Sequence, residues 1–86
     1  MARKKWQWCR VINIDHDRKE FDITGPKDKE NYAAAERALR EARQAGRNVE
    51  MQRTAWYGIY EDIPSKKELV EQYEQLTGYP WGALVI

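Results

Sequence analysis

The one histidine of the chain, His16, stands between two carboxylates, Asp15 and Asp17, and is the first place to look for chemistry. A metal site needs three or four ligands that converge, and adjacent residues in a turn point apart. The triplet therefore reads as a solvated hairpin turn, and no metal is expected. The one cysteine, Cys9, would need a base and an oxyanion hole to act as a nucleophile. His16 lies at the far end of the same strand, roughly 20 Å away at about 3.3 Å per residue, so Cys9 reads as a small, half-buried strand residue. Glu61 and Asp62 form an acid pair in a loop, with no apolar surroundings to shift either group. There is no glycine-rich phosphate loop, HExxH or CxxC. Neither an enzyme nor a cofactor is expected.

Cations offer more. Arg37, Arg40, Arg43 and Arg47 fall on or just beyond one helix, and Arg3, Lys4, Lys5 and Arg10 open the chain. At about 100° per residue, Arg40, Arg43 and Arg47 line one side of that helix. Pairing of Glu36 with Arg40, one helical turn apart, would make this an ordinary solvated face. Left unpaired, the same side together with Lys4 and Lys5 would suit nucleic acid. Residues 61–74 hold five acids against two lysines, so the charge is lopsided, which favours oriented encounter with a charged partner.

These residues need elements to position them. The surest is a helix from Asp28 to Gly46. Tyr32, Ala35, Leu39 and Ala42 recur at helical spacing, Asp28 can cap its start, and Gly46 can end it. Leu39, the large aliphatic among alanines, is expected to be close to fully buried. Residues 6–14 alternate as a strand, with Trp6, Trp8, Ile12 and Ile14 on one face and Gln7, Cys9, Val11 and Asn13 on the other; Arg10 is the misfit on the apolar side. Residues 15–20 form a turn, and residues 21–24 a short second strand stopped by Gly25 and Pro26.

Residues 48–60 read as a long third strand with a bulge or bend near Arg53 to Ala55, which would flip the parity of the later residues. Ser65 and Glu68 form a capping box that opens a second helix, with Leu69, Val70, Tyr73 and Leu76 as its stripe and Gly78 at its end. Residues 82–86 are a short last strand or a tail against the core. The β-β-α-β-α order predicts an α+β fold: a two-layer sandwich with both helices on one face of a mainly antiparallel sheet.

At 86 residues the chain is expected to be one domain, with residues 1–5 a flexible basic terminus. It is 42% hydrophobic and 34% charged, with a net charge of +1, which gives no bulk attraction to nucleic acid or membrane. The single cysteine, the lack of an apolar run long enough for a membrane span and the lack of a signal-peptide core make the cytoplasm the expected compartment. A two-layer fold would leave one sheet face to water, and parity places Val11, Trp56 and Tyr60 there, with Gly58 leaving a slot between the two rings. Exposed aromatic side chains of this kind anchor protein interfaces. The sequence therefore predicts a protein-interaction module, an adaptor, inhibitor or homodimer working through that face or the hairpin edge. Nucleic-acid binding through Arg40, Arg43, Arg47, Lys4 and Lys5 is the alternative.

Overall fold

A computed structural model describes residues 7–58 and 62–82 of the chain. Six elements follow in the order β1 (Gln7–Asp15), β2 (Glu20–Lys27), α1 (Lys29–Gln44), β3 (Val49–Arg53), β4 (Tyr57–Gly58) and α2 (Lys66–Thr77). β1 is central, with β2 antiparallel on one side and β3, continued by β4, antiparallel on the other. This is a small α+β fold in the expected order. Beyond the outer side of β2, Phe21 forms a parallel bridge to Trp81. The Phe21 N–H donates to the Pro80 carbonyl at 3.3 Å, and the Gly82 N–H donates to the Phe21 carbonyl at 2.8 Å. Trp81, just before the expected final strand, thus forms a single bridge; residues 83–86 lie outside the described residues.

The two helices do not share a face. Ile12 lies opposite both Ile23 and Gln52, and Ile14 opposite Phe21 and Glu50, so all six point to one side. That side carries α2: Leu69 and Tyr73 close over Ile12, Ile14, Phe21 and Ile23, and the Tyr73 hydroxyl donates to Gln52 at 3.0 Å. Val11 faces Arg53 across the ladder, on the opposite side. There the Arg53 guanidinium lies 5.7 Å from the ring of Tyr32 in α1. The expected two-layer arrangement is therefore corrected to a sheet with one helix on each face. Cys9, expected half-buried, and Val11, expected on a wet face, are both fully buried. An antiparallel sheet covered on both sides has no face left for a purely polar row.

Two irregularities shape the sheet. In β2, Gly25 and Pro26 together stand opposite Arg10, which shifts the register between Cys9 and Val11. Gly25 has φ of +124°, and a Cβ there would lie 3.0 Å from the Cys9 carbonyl and 3.1 Å from the Arg10 Cα. Both the dihedral and the space demand glycine. Arg10, the misfit of the sequence, uses this bulge. Its Nη1 donates to the Gly25 carbonyl at 2.9 Å and its Nε to the Pro64 carbonyl. The third strand breaks at residues 54–56, where the Arg10 N–H donates to the Thr54 hydroxyl and the Thr54 N–H to the Arg10 carbonyl, each at 3.0 Å.

Both helices start as their sequences require. The Asp28 carboxylate accepts from the Asn31 N–H at 2.8 Å, and Ser65 and Glu68 form the reciprocal capping box. Gly78, with φ of +75°, closes α2 in the left-handed conformation. α1, however, has no fully buried residue. Leu39 is half-buried, contrary to expectation, because an alanine face leaves the helix standing off the sheet rather than filling the gap. Leu39→Ala is accordingly expected to cost about 1–2 kcal/mol in a thermal melt, below the ~2–5 kcal/mol of a fully buried leucine. A loss above that range would mean α1 packs more closely than described.

Candidate functional site

Three places carry side chains with chemical potential. The first is the turn between β1 and β2. His16 is more than a solvated turn residue: its Nδ1 lies 2.9 Å from the Tyr79 hydroxyl and its Nε2 3.1 Å from Glu50 Oε1. The rings of His16 and Tyr79 meet edge to face at 5.6 Å. Glu50 also accepts from Gln52 at 2.9 Å, and Gln52 accepts from Tyr73. A polar chain thus runs Tyr79–His16–Glu50–Gln52–Tyr73. Hydrogen bonds from Gln52 and then His16 hold the Glu50 carboxyl below its ordinary value, while burial and then the Glu50 charge push the Tyr73 phenol up.

Chemically this chain is a clamp. Both ring nitrogens of His16 are engaged, one by the Tyr79 hydroxyl and one by the Glu50 carboxylate. The two acids beside His16 serve the backbone: Asp15 Oδ1 accepts from the N–H groups of Asp17 and Arg18, and Asp17 accepts from the Asn48 N–H. Among the described residues no cluster of three or more potential metal ligands forms. Sequence reasoning missed the His16 network because its partners lie 34 and 63 positions away.

The clamp has a pH signature. Because the Glu50 pKa is depressed on folding, the stability it contributes is fully present above its ordinary value of 4.5 and is lost as pH falls through the lower folded value. Urea unfolding of Glu50→Gln against the parent is expected to show a larger difference at about pH 7 than at about pH 3. An equal difference at both would remove the role assigned to the carboxylate.

The second place is an aromatic–cation cluster on the α1 side. Trp56 and Tyr32 meet edge to face at 5.6 Å, and the Arg53 guanidinium lies over both rings, 5.2 Å from that of Trp56. This corrects the placement of Trp56 on an open face away from the helices. In β3 the paired residue numbers sum to 64, as in Val11 with Arg53, whereas in β4 they sum to 65, as in Trp8 with Tyr57. The extra residue turns Trp56 over, onto the face of Arg53 and α1. Val11, expected beside it on that face, is fully buried within the domain. Tyr60, Lys4 and Lys5 lie outside the described residues. Cys9 is fully buried, and burial pushes its thiol up, opposed by the Arg53 charge.

The arginine side of α1 is divided. Arg43 donates from Nε to the Val49 carbonyl at 3.1 Å, and Arg47 pairs with Asp15 at 3.3 Å. Arg40 is exposed and forms no ion pair among the described residues, and the expected Glu36–Arg40 pair is not made.

The third place is a cavity of about 860 Å3 between α1 and the sheet, opening at the outer edge of β2. Its wall is Ala35, Ala38, Leu39 and Ala42; its floor includes Asn13, Asp22, Thr24 and Val49; Trp81 and Gly82 stand at its end. Along β2 the groups of Phe21 point outward to Pro80 and Gly82, so by alternation those of Ile23 point outward too. Among the described residues, no strand pairs with that edge beyond Phe21. No sequence signal reveals this cavity, because it depends on the height at which α1 stands above the sheet.

No protein-family model matches the chain, and neither a curated protein nor a solved structure matches it. None of the helices among the described residues is long and apolar enough to cross a membrane.

Proposed function

We propose that the chain is a non-enzymatic protein-interaction module, and that it receives an extended segment of another protein along the outer edge of β2. The observation that carries this reading is the cavity of about 860 Å3 under α1. It places an apolar alanine and leucine wall beside a strand edge on which the Ile23 backbone groups point outward, next to Phe21 and Gly25, whose outward groups are bonded to Pro80, Gly82 and Arg10. Wall and edge are the two features that strand addition uses for specificity and affinity. The hairpin edge thus takes over from the aromatic face as the binding surface.

A displayed library of extended octapeptides, selected on the folded chain, tests the reading. Enriched peptides are expected to bind the parent and to lose binding to Ala38→Trp, whose ring fills the cavity without touching the core. No enrichment, or enrichment indifferent to that substitution, would overturn it.

Nucleic-acid binding keeps one supporting observation, the exposed Arg53 beside Tyr32 and Trp56, a combination able to stack a base. Arg43 and Arg47 speak against it, since each is engaged within the domain. Titration with a single-stranded oligonucleotide at low salt, read by tryptophan fluorescence, separates the two readings.

A further inference from the structure

On the other side of the sheet, and independently of the β2 edge, we infer that the outer edge of β3 receives an extended segment whose acidic side chain is held by Arg53, with an aliphatic residue two positions further on. Among the described residues β3 pairs with β1 alone. The His16 N–H donates to the Asn48 carbonyl and the Thr54 N–H to the Arg10 carbonyl, so the even-numbered residues of this strand address β1. By alternation Val49, Met51 and Arg53 direct their backbone groups outward. The Val49 carbonyl is already taken by Arg43 Nε, at 3.1 Å. Met51 and Arg53 have no backbone partner on that side among the described residues, and they set the length of the free edge.

Arg53 is held ready for an anion at this edge. Its guanidinium lies 5.7 Å from the ring of Tyr32 and 5.2 Å from that of Trp56, and its Nη1 donates to the Thr54 carbonyl at 3.0 Å. Two rings and a carbonyl fix the group in place, so less side-chain freedom is left to lose on binding. Nε and Nη2, a donor pair that matches a carboxylate side-on, bond no described residue. The ion pairs among the described residues are those of His16 with Glu50 and Arg47 with Asp15, so the exposed Arg53 has no anion. Glu50, the acid of β3 itself, faces α2 and is bonded to His16 and Gln52.

The geometry fixes the pattern. β1 pairs antiparallel with β2, β3 and β4, and a segment added in the same sense sets one residue opposite Arg53 and the residue two positions later opposite Met51. Opposed Cβ atoms lie about 5 Å apart, which brings an aspartate or glutamate within reach of the guanidinium. The place beside the half-buried Met51 suits an aliphatic side chain. From its N-terminal end the segment thus reads acidic, any, aliphatic. Charge complementarity selects it over a basic strand, and the free backbone groups select a peptide over nucleic acid, which has no strand to complete them.

Only two residue pairs form, so a free peptide binds weakly and the test is a titration at about millimolar concentration. The probe is a blocked pentapeptide of threonine with glutamate second and valine fourth, followed by the amide signals of the isotope-labelled chain. The largest shifts are expected at Met51 and Arg53. Glutamine in place of the probe's glutamate, or Arg53→Gln in the chain, should each weaken binding about fivefold, and both together no further than either alone. N-methylation of the probe's valine should weaken it as well. Ala38→Trp and Arg18→Gln, the latter an exposed arginine in the turn after β1, should leave binding unchanged, so failure here and failure at the β2 edge are read separately. Should Arg53→Gln not fold by circular dichroism, the two probes on the parent chain decide. Equal binding of the glutamate and glutamine probes, no shift at Met51 and Arg53, or shifts confined to β2 would overturn the inference. A single-stranded oligonucleotide that binds more tightly than the probe and is lost with Arg53→Gln would assign the site to nucleic acid. A dimer by light scattering that Arg53→Gln dissociates would assign it to a second copy. Either result overturns the inference.

Discussion

Replacing Phe21 with alanine is expected to lower the stability of the domain by about 3–5 kcal/mol. Phe21 is the largest fully buried side chain among the described residues, 1% exposed, and sits among Ile12, Ile14, Ile23, Leu69 and Tyr73. Its ring stands 6.3 Å from that of Tyr73, tilted by 45°, so truncation removes an aromatic contact of α2 as well as apolar area. Its backbone also holds Pro80 and Gly82 at the edge of β2, which ties the hydrophobic core to the end of the proposed docking edge. A domain of this size has a total stability of only about 5–10 kcal/mol, and the variant should be largely unfolded in mild urea. Equilibrium unfolding followed by tryptophan fluorescence measures the loss. A cost below about 1 kcal/mol would contradict the packing of α2 on this face.

The second large effect belongs to Arg10→Met, expected to cost about 2–3 kcal/mol. Methionine keeps most of the stem, so the loss reports chiefly on the guanidinium. That group bonds the Gly25 carbonyl across the bulge and the Pro64 carbonyl 54 positions away, just before α2. A planar fork reaches two carbonyls in different directions, which a single ammonium cannot do as well; Arg10→Lys is therefore expected to recover less than half of the loss. Full recovery by lysine would show that charge alone matters here. Native-state amide exchange gives an independent check, with faster exchange at the start of α2 expected in Arg10→Met.

The order of elements, the two caps and the break in the third strand were legible in the sequence because each depends on neighbours in the chain. Asp28 and Ser65 each serve the N–H three residues on, Glu68 serves the N–H three residues back, and Gly78 needs only its own dihedral freedom. The alternation of Ile12 with Ile14 and of Phe21 with Ile23 likewise told which residues share a face. What it could not tell was which face each helix covers. Both sides of β1 are apolar, and the choice rests on contacts between Tyr32 and Arg53 on one side and between Tyr73 and Gln52 on the other. These pairs are 21 residues apart in each case, beyond the reach of any local periodicity.

The candidate sites show the same division. One inserted residue in the third strand turned Trp56 toward α1, so a parity argument that was sound within β3 failed beyond it. The partners of His16 were invisible, since a hydrogen bond across 63 positions leaves no pattern in a sequence. Leu39 among its alanines announced a buried face, and the helix is indeed amphipathic. Its distance from the sheet, however, is set by how much volume the facing residues supply. Asn13, Asp22 and Thr24 supply little, and the tertiary structure leaves a cavity where the sequence promised a closed seam. Composition decides that α1 has an apolar side; only packing decides whether that side is filled.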